Sequence, residues 1–391
     1  MEQNFGKSAP FSLGVEEEFQ IVNRESYELV SRIDEILLAF EGGEKEKRVK
    51  AELLQSVVEV ATNVAATVDE ALEDLRDLRA HLRDVAAEAD ALIASAGTHP
   101  FSRYEHQEVT DRPRYVDLIE SMRWVAEREL IFGLHIHVGL DSPDKAIACV
   151  NALRTYLPEL LALSANSPFW QARPTGLAST RVKVFEPFPR AGLPPAFASY
   201  EEFELLVERG IKTNSFEDYT YIWWDLRPHP RLGTIEVRVC DAQTRIESVA
   251  AIVALVQSLV ATFAAMFDRG ENLPVEPITI ATVGWFAFGT SRKSCAAFSS
   301  GECARTALTL WLMKSQAPPA RAPTATRRTM NVQSRILPMS RNGPRLRPLY
   351  RVIGVKAVTG IDPFPLPSTR PVPRLRVVRI RKVAELATTG G

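Results

Sequence analysis

Three short stretches place ionisable side chains where apolar ones are expected. Glu16 and Glu18 lie in Gly14-Val-Glu-Glu-Glu-Phe19, His135 and His137 in Gly133-Leu-His-Ile-His-Val-Gly139, and Glu236 and Arg238 in Thr234-Ile-Glu-Val-Arg238. A strand alternates its side chains between two faces, so each pair shares a face while Glu17 points the other way. An ionised carboxylate is costly to bury unless it is paired or bound to a metal. Three strands that each offer two polar groups on one face therefore imply a common polar pocket. Carboxylates with an imidazole suit Mg²⁺ or Mn²⁺, and an arginine beside them suits a phosphate. Glu59, inside the β-like run 57–62, adds another carboxylate.

Each piece alone has a plain alternative. Glu-x-Glu on a strand is commonly a solvated edge, an HxH pair is commonly incidental, and Glu-x-Arg can be a cross-strand ion pair. It is their joint occurrence that points to a site. The sequence has no HExxH and no Cys-rich zinc cluster, and no GxxxxGK[ST], so a nucleotide site here is not a P-loop.

The elements that must carry these residues read as follows. Residues 11–23 form a strand. Residues 67–91 form a helix, with Leu72, Leu75, Leu78, Leu82 and Val85 recurring every three or four positions. Residues 97–104 are a loop, 130–140 a strand, 146–164 an Ala/Leu helix and 200–208 a short amphipathic helix. Residues 219–226 and 234–239 read as strands joined by a turn at 228–233. Thr244-Arg-Ile-Glu247 has the pattern of a capping box opening a long apolar helix. Strands separated by helices of uneven length, with hairpin-like pairs, indicate an α+β fold rather than regular βαβ winding.

The composition is that of a soluble globular chain of 391 residues, 46% hydrophobic and 24% charged, which excludes wholesale disorder. A net charge of −1 argues against a general nucleic-acid or membrane-surface binder. Four cysteines without a CxxC, and no apolar stretch ahead of Glu16 to act as a signal peptide, fit a cytoplasmic protein. Residues 249–267 are long enough to mimic a membrane span, but Gln257, Ser258 and Thr262 interrupt them and no basic flank orients them. The expectation is a buried core helix.

As an ordered set the motifs resemble the bacterial carboxylate–amine ligases of the glutamate–cysteine ligase type 2 family. The resemblance covers about residues 10–278. It rests on Ser12-Leu-Gly-Val-Glu-Glu-Glu-Phe19, Glu52-Leu-Leu-Gln-Ser-Val-Val-Glu59 with Thr62, Gly97-Thr-His-Pro-Phe101, the Gly133–Gly139 motif, Leu177-Ala-Ser-Thr-Arg181, Asp225-Leu-Arg-Pro228 and Thr234-Ile-Glu-Val-Arg-Val-Cys-Asp241. It implies a glutamine synthetase-like catalytic fold, a curved antiparallel sheet with helices packed outside. It also implies ATP-driven amide formation through an acyl phosphate, with glutamate and cysteine as the default substrates, Mg²⁺ (or Mn²⁺) as the metal, small-molecule partners and a homodimer. Carried over residue by residue, Glu16, Glu18, Glu52, Glu59, His135 and Glu236 are metal ligands, and His137 faces substrate. Arg238, Arg181 and Arg227 contact phosphate or carboxylate, with a structural salt bridge as the alternative for Arg181 and Arg227. Glu52 fits least well, because seven residues separate it from Glu59 and cannot put both on one face of one strand. His99 is expected to pack or cap its loop, and Cys240 to pack rather than react.

Past residue 281 the sequence departs from the family pattern. Ile280-Ala-Thr-Val-Gly-Trp285 stands where a Glu-Asn-Arg-Trp-like segment is expected. Residues 1–277 carry 28 Lys/Arg against 45 Asp/Glu, a net of −17. Residues 278–391 carry 19 against three, a net of +16, together with 11 of the 26 prolines. A frameshift near Ala281 explains this. Thr-Val-Gly encoded ACC-GTT-GGN after an A reads AAC-CGT-TGG, or Asn-Arg-Trp, one base earlier. A divergent basic tail is the alternative. The division expected is a catalytic domain over 1–281 and a basic Pro/Arg-rich segment over 282–391 without a stable core. Two further readings stay open, a guanidino-type phosphotransferase on the same fold and an inactive nucleotide-binding pseudoenzyme. A metal-dependent hydrolase working without ATP is a third.

Overall fold

A computed structural model describes residues 1–275. The expected segment 282–391, including the altered stretch at 282–285, lies outside the described residues.

The described residues build one antiparallel sheet from β1 (Leu13–Asn23), β2 (Val49–Ala51), β3 (Val57–Ala61), β4 (Ala91–Ala94), β5 (Gly133–Gly139), β8 (Leu226–His229) and β9 (Thr234–Asp241). Its order is β2-β3-β1-β5-β9-β8, with β4 pairing the far end of β1. A separate two-strand ribbon joins β6 (Phe169–Trp170) to β7 (Arg173–Pro174). The helices are α1 (Ile33–Phe40), α2 (Val68–Glu88), α3 (Pro113–Met122), α4 (Trp124–Glu127), α5 (Pro143–Leu153), α6 (Leu157–Ser164), α7 (Arg181–Phe185), α8 (Tyr200–Lys212) and α9 (Ile246–Asp268).

Strand alternation decides which face is core. Leu13 and Val15 of β1, Leu134, Ile136 and Val138 of β5, and Ile235 and Val237 of β9 all pack against α2, α5, α6 and α9. Val58 and Val60 of β3 join α1 and α2 in a neighbouring cluster. The intervening residues are left for the opposite face, and they are the ionisable ones. On the core side Glu17 is 2% exposed, held by Arg79 of α2 through Nε–H donating to Oε2 at 2.8 Å. Arg79 also donates to the Gln243 and Thr244 carbonyls, so a single guanidinium joins α2, β1 and the chain entering α9.

Two helical stretches, Pro143–Ser164 (α5 and α6 together) and Ile246–Asp268, have the length and apolarity of membrane spans. Both lay a stripe of side chains into the core. In α9 it runs through Val249, Ile252, Val253, Val256, Leu259, Val260 and Phe263, as expected of a core helix.

Four local expectations are corrected. The helix expected over 146–164 starts at Pro143 and breaks at a 3-10 turn, Arg154–Tyr156, because Pro158 has no N–H to continue the ladder; the buried Arg154 Nε–H donates to the Pro194 carbonyl at 2.7 Å. Tyr219–Tyr221 is a 3-10 turn, capped by Asp218 accepting from the Thr220 N–H at 2.7 Å, and the strand begins only at Leu226. That strand runs through Pro228, and the chain turns at Pro230–Leu232 with Gly233 left-handed at φ 67°. The capping box is not formed. Arg245 is the N-cap of α9, and the Thr244 hydroxyl donates to the Ser95 carbonyl.

Candidate active site

The sheet's open face carries the polar residues in cross-strand register. Lys50 lies opposite Glu59, and Glu59 opposite Glu18. Glu16 lies opposite His135, His137 opposite Glu236, and Glu236 opposite Arg227. Five strand pairings thus make one continuous polar band. The pairing of β5 with β9 shifts register between Leu134 and Ile136, and the extra residue falls on β9 beside Arg238. Such a bulge re-aims a side chain. Here the Arg238 and Val239 N–H groups both turn to the Asp225 carbonyl, while the Arg238 guanidinium reaches Glu236.

The band forms the floor of a cleft of about 370 Å³, a size suited to small molecules. Every expected site residue lines it: Glu16, Glu18, Glu52, Glu59, His135, His137, Arg181, Arg227, Glu236 and Arg238. Glu52 enters from the end of β2, not from β3. The seven-residue spacing that counted against it is the connection between two paired strands, and Lys50 and Glu52, two apart, share a face.

Three groups of side chains bring ligand atoms within 4.8 Å of one another: Glu16–His137–Glu236, Glu16–Glu59–His135 and Glu18–Glu52–Glu59. His135 lies between two carboxylates, Nδ1 3.4 Å from Glu16 and Nε2 3.8 Å from Glu18. Both its nitrogens are buried without a hydrogen-bond partner among the described residues, as is His137 Nε2. Buried nitrogens without partners beside carboxylates are the donor set a divalent metal satisfies. His137, expected to face substrate, lines the same cleft; the Thr234 hydroxyl fixes its Nδ1 at 3.0 Å and its Nε2 points at Glu16, 3.6 Å away, which places it in one of the candidate metal groups.

The arginines divide. Arg227 commits Nε and Nη2 to Glu236, and Nη1 to the Thr220 and Ile222 carbonyls. That geometry positions Glu236 rather than offering donors to a phosphate. Arg238 pairs with Glu236 through Nη1 and keeps a buried Nε unpartnered among the described residues. Arg181, at the start of α7, gives Nη1 to the Arg238 and Val239 carbonyls and leaves its Nε without a partner in the same sense. Gly133 leaves room for it. A Cβ there would lie 2.5 Å from Arg181 Nη2 and 2.9 Å from His135 Nε2.

The charges are tuned in opposite directions. Burial alone would raise Glu16, but the neighbouring His135 and His137 imidazoles outweigh it and hold the carboxyl well below its usual range. Burial of Glu236 is likewise overridden, by Arg227 and Arg238. Glu52 is pushed well above its usual range by burial and then by Glu59 and Glu18. Burial and Glu16 raise Glu59 to about 7 although Lys50 opposes them. Burial lowers His135, whereas for His137 the Glu16 carboxylate overcomes burial and the net direction is upward. Glu16 and Glu236 are thus shifted toward the ionised form, and Glu52 and Glu59 toward the protonated form.

The motif residues outside the cleft are structural. His99 Nδ1 accepts from the Ser102 N–H at 2.9 Å, so its Nε2–H donates to the Tyr27 carbonyl, the loop-packing role expected of it. Cys240 is buried in the core, where burial pushes its thiol up to about 12. Asp241 accepts from the Ser167 and Ser179 hydroxyls and the Asn166 N–H, tying the loop before α7 to β9. Lys50, Glu129, Tyr115, Arg114 and His229 also line the cleft and were not anticipated. Period two would have exposed Lys50 beside Glu52, but a three-residue strand gives no pattern to read. Glu129 lies in a turn of the chain ahead of β5, where no periodicity applies.

The glutamate-cysteine ligase family 2 model matches residues 12–318. The chain belongs to this family. Two relatives in Rubrobacter xylanophilus carry the provisional names glutamate–cysteine ligase 2-1 and 2-3. The first is 50% identical over 252 residues, covering 64% of this chain and 67% of the relative; the second is 47% identical over 276 residues, covering 71% and 76%. Among solved structures, the glutamate–cysteine ligase of Francisella tularensis in complex with AMP superposes with a TM-score of 0.53 at 16% identity, covering 72% of this chain and 71% of that one. A bifunctional glutathione synthetase from Pasteurella multocida gives 0.50 at 14% identity, covering 72% and 40%. These likenesses show the fold, that of the glutamine synthetase-like ligases. As a member of glutamate–cysteine ligase family 2, the chain is an ATP-dependent carboxylate–amine ligase acting on small molecules, and ligases of this fold use ATP with a divalent metal.

Proposed function

We propose that this ligase joins the γ-carboxylate of glutamate to the amine of cysteine, with Mg²⁺ (or Mn²⁺) held by Glu16, Glu18, Glu52, Glu59, His135 and Glu236, and with His137 added to that set. The observation that carries the site assignment is the pair of buried, partnerless His135 nitrogens between Glu16 and Glu18. Provisional names in the relatives support the substrate pair.

A carboxylate is a poor acyl donor because its oxide is a poor leaving group. In the first step a carboxylate oxygen of glutamate attacks the γ-phosphorus of ATP, the bond to the bridging oxygen breaks, and ADP departs. In the second, the amine attacks the acyl carbon, the C–O bond to phosphate breaks, and the amine's proton is lost. When bound, the metal neutralises charge on the transferring phosphoryl group. Arg238 and Arg181, with donors still free of described partners, face the anionic reactants. Arg227 keeps Glu236 ionised and aimed. The sheet holds all of these on one rigid surface, so no reorganisation is needed as charge develops.

The test incubates the protein with ATP, Mg²⁺, glutamate and a panel of amines, and measures ADP together with new amide. ADP matched by γ-glutamylcysteine is the expected result. Phosphorylated amine without amide would identify a kinase, and nucleotide binding without turnover a pseudoenzyme. Glu16→Gln should abolish metal-dependent turnover, and near wild-type activity in that variant would sink the site assignment.

A further inference from the structure

Lys50 stands opposite Glu59 in the register of β2 with β3. Its Nζ lies 2.9 Å from Glu59 and 3.8 Å from Glu16. Those two acids, with His135, make one of the candidate metal groups, and Glu59 is shared with a second. The ammonium therefore sits on the very carboxylates a divalent ion would need. The partners differ in freedom. Glu59 is nearly fully buried in the sheet, whereas the Lys50 side chain is 49% exposed and lines the cleft on a flexible stem. Of the two, only the lysine can leave.

We propose that Lys50 is a built-in placeholder for the metal. In the metal-free chain its ammonium neutralises the Glu16–Glu59 edge and keeps two crowded acids together. An arriving divalent ion takes the Glu59 oxygen, and like-charge repulsion turns Lys50 out along the cleft. Lys50 is then a positioning residue: it keeps these acids together until the divalent ion arrives. The inference rests on the metal-site reading above.

The test uses the full chain and Mn²⁺ alone, with binding followed by electron paramagnetic resonance. Lys50→Met should bind Mn²⁺ about tenfold more tightly than wild type, since a competitor and a repelling charge are both removed. Lys50→Arg, which keeps the charge, should stay within about twofold of wild type. A second measurement needs no variant: amine acylation of Lys50 in the wild-type protein, read by mass spectrometry, should rise on saturation with Mn²⁺. Equal or weaker Mn²⁺ binding by Lys50→Met overturns the inference, and so does Lys50 acylation that is unchanged or reduced by the metal. If wild type binds no Mn²⁺, the metal-site reading fails and takes this inference with it. If wild type binds but Lys50→Met makes no difference, only the placeholder role fails.

Discussion

Four glutamates on one sheet face are shifted in opposite directions by burial and by their immediate neighbours, and the consequence is a measurable pH dependence. Glu59 is raised to about 7 from an ordinary 4.5. A carboxylate raised on folding costs nothing below its unfolded value, where both states are protonated, and costs its full amount above the folded value. The loss therefore develops between about pH 4.5 and 7, and from Glu59 alone is of the order of 3 kcal/mol at about 1.4 kcal/mol per unit. Glu52 shifts in the same direction and adds to it, as does His137, whose raised value gives stability that fades as pH climbs; His135 is shifted down and opposes them. Glu16 and Glu236 are depressed, so their stabilisation is present throughout this window and lost only on further acidification. In EDTA the melting temperature should fall from pH 5 to pH 8. Mg²⁺ or Mn²⁺, which binds the ionised acids, should raise it much more at pH 8 than at pH 5. A metal-induced shift that is equal at both pH values, or larger at pH 5, would count against the ligand set. These residues were legible in the sequence because strand alternation is strict: Glu16, Glu18, His135 and Glu236 could be placed on one face without knowing which strands pair. Which of its two readings fits Arg227, anion contact or ion pair, was not legible, since that depends on Glu236 standing across the strand.

At the scale of elements, the site depends on how closely α7 and β5 approach. The room at Gly133 is filled by the Arg181 guanidinium and the His135 ring. Gly133→Ala should cut turnover by about a hundredfold or more, since misplacing reacting groups by about 1 Å has that effect, and should weaken metal binding while leaving the far-ultraviolet spectrum unchanged. Wild-type kinetics in Gly133→Ala would mean that this approach is not needed for catalysis. On the opposite face, Arg79→Ala strips the buried Glu17 of its partner, and the expected cost is about 3 kcal/mol in a denaturant titration at pH 8. Burial already outweighs Arg79 and raises Glu17. Without the arginine the acid takes up a proton more readily, so the cost should shrink at pH 5; a larger cost at pH 5 would contradict the pairing. Helix α2 was readable from its leucine spacing, and its Thr67 cap accepts from the Glu70 N–H. The break at Arg154–Tyr156 and the bulge at Arg238 were not. The first follows from one proline inside an otherwise helical pattern. The second arises from pairing between strands almost a hundred residues apart, which no local pattern encodes.

At the scale of the whole molecule, all the proposed ligands fall within residues 1–275, and so does a core that packs α9 through one stripe of side chains. The family match continues to residue 318, while the two Rubrobacter relatives align over 252 and 276 residues, 67% and 76% of their own lengths. The sign of the charge reverses after residue 277, from a net of −17 to +16, and the acids fall to three in 114 residues. Selection on a folded surface keeps both signs interspersed, whereas translation in a shifted frame is under no such constraint. Although the family match runs on to residue 318, the charge reversal leads us to propose a single-base shift near codon 281. Resequencing the gene should give a corrected frame that reads Asn-Arg-Trp in place of Thr282-Val283-Gly284. The corrected protein should melt at a higher temperature than the chain with this tail, because a tail selected with this domain can cover the exposed Phe267 at the end of α9. An intact gene in the present frame would remove the proposal, and so would a corrected protein no more stable than this one.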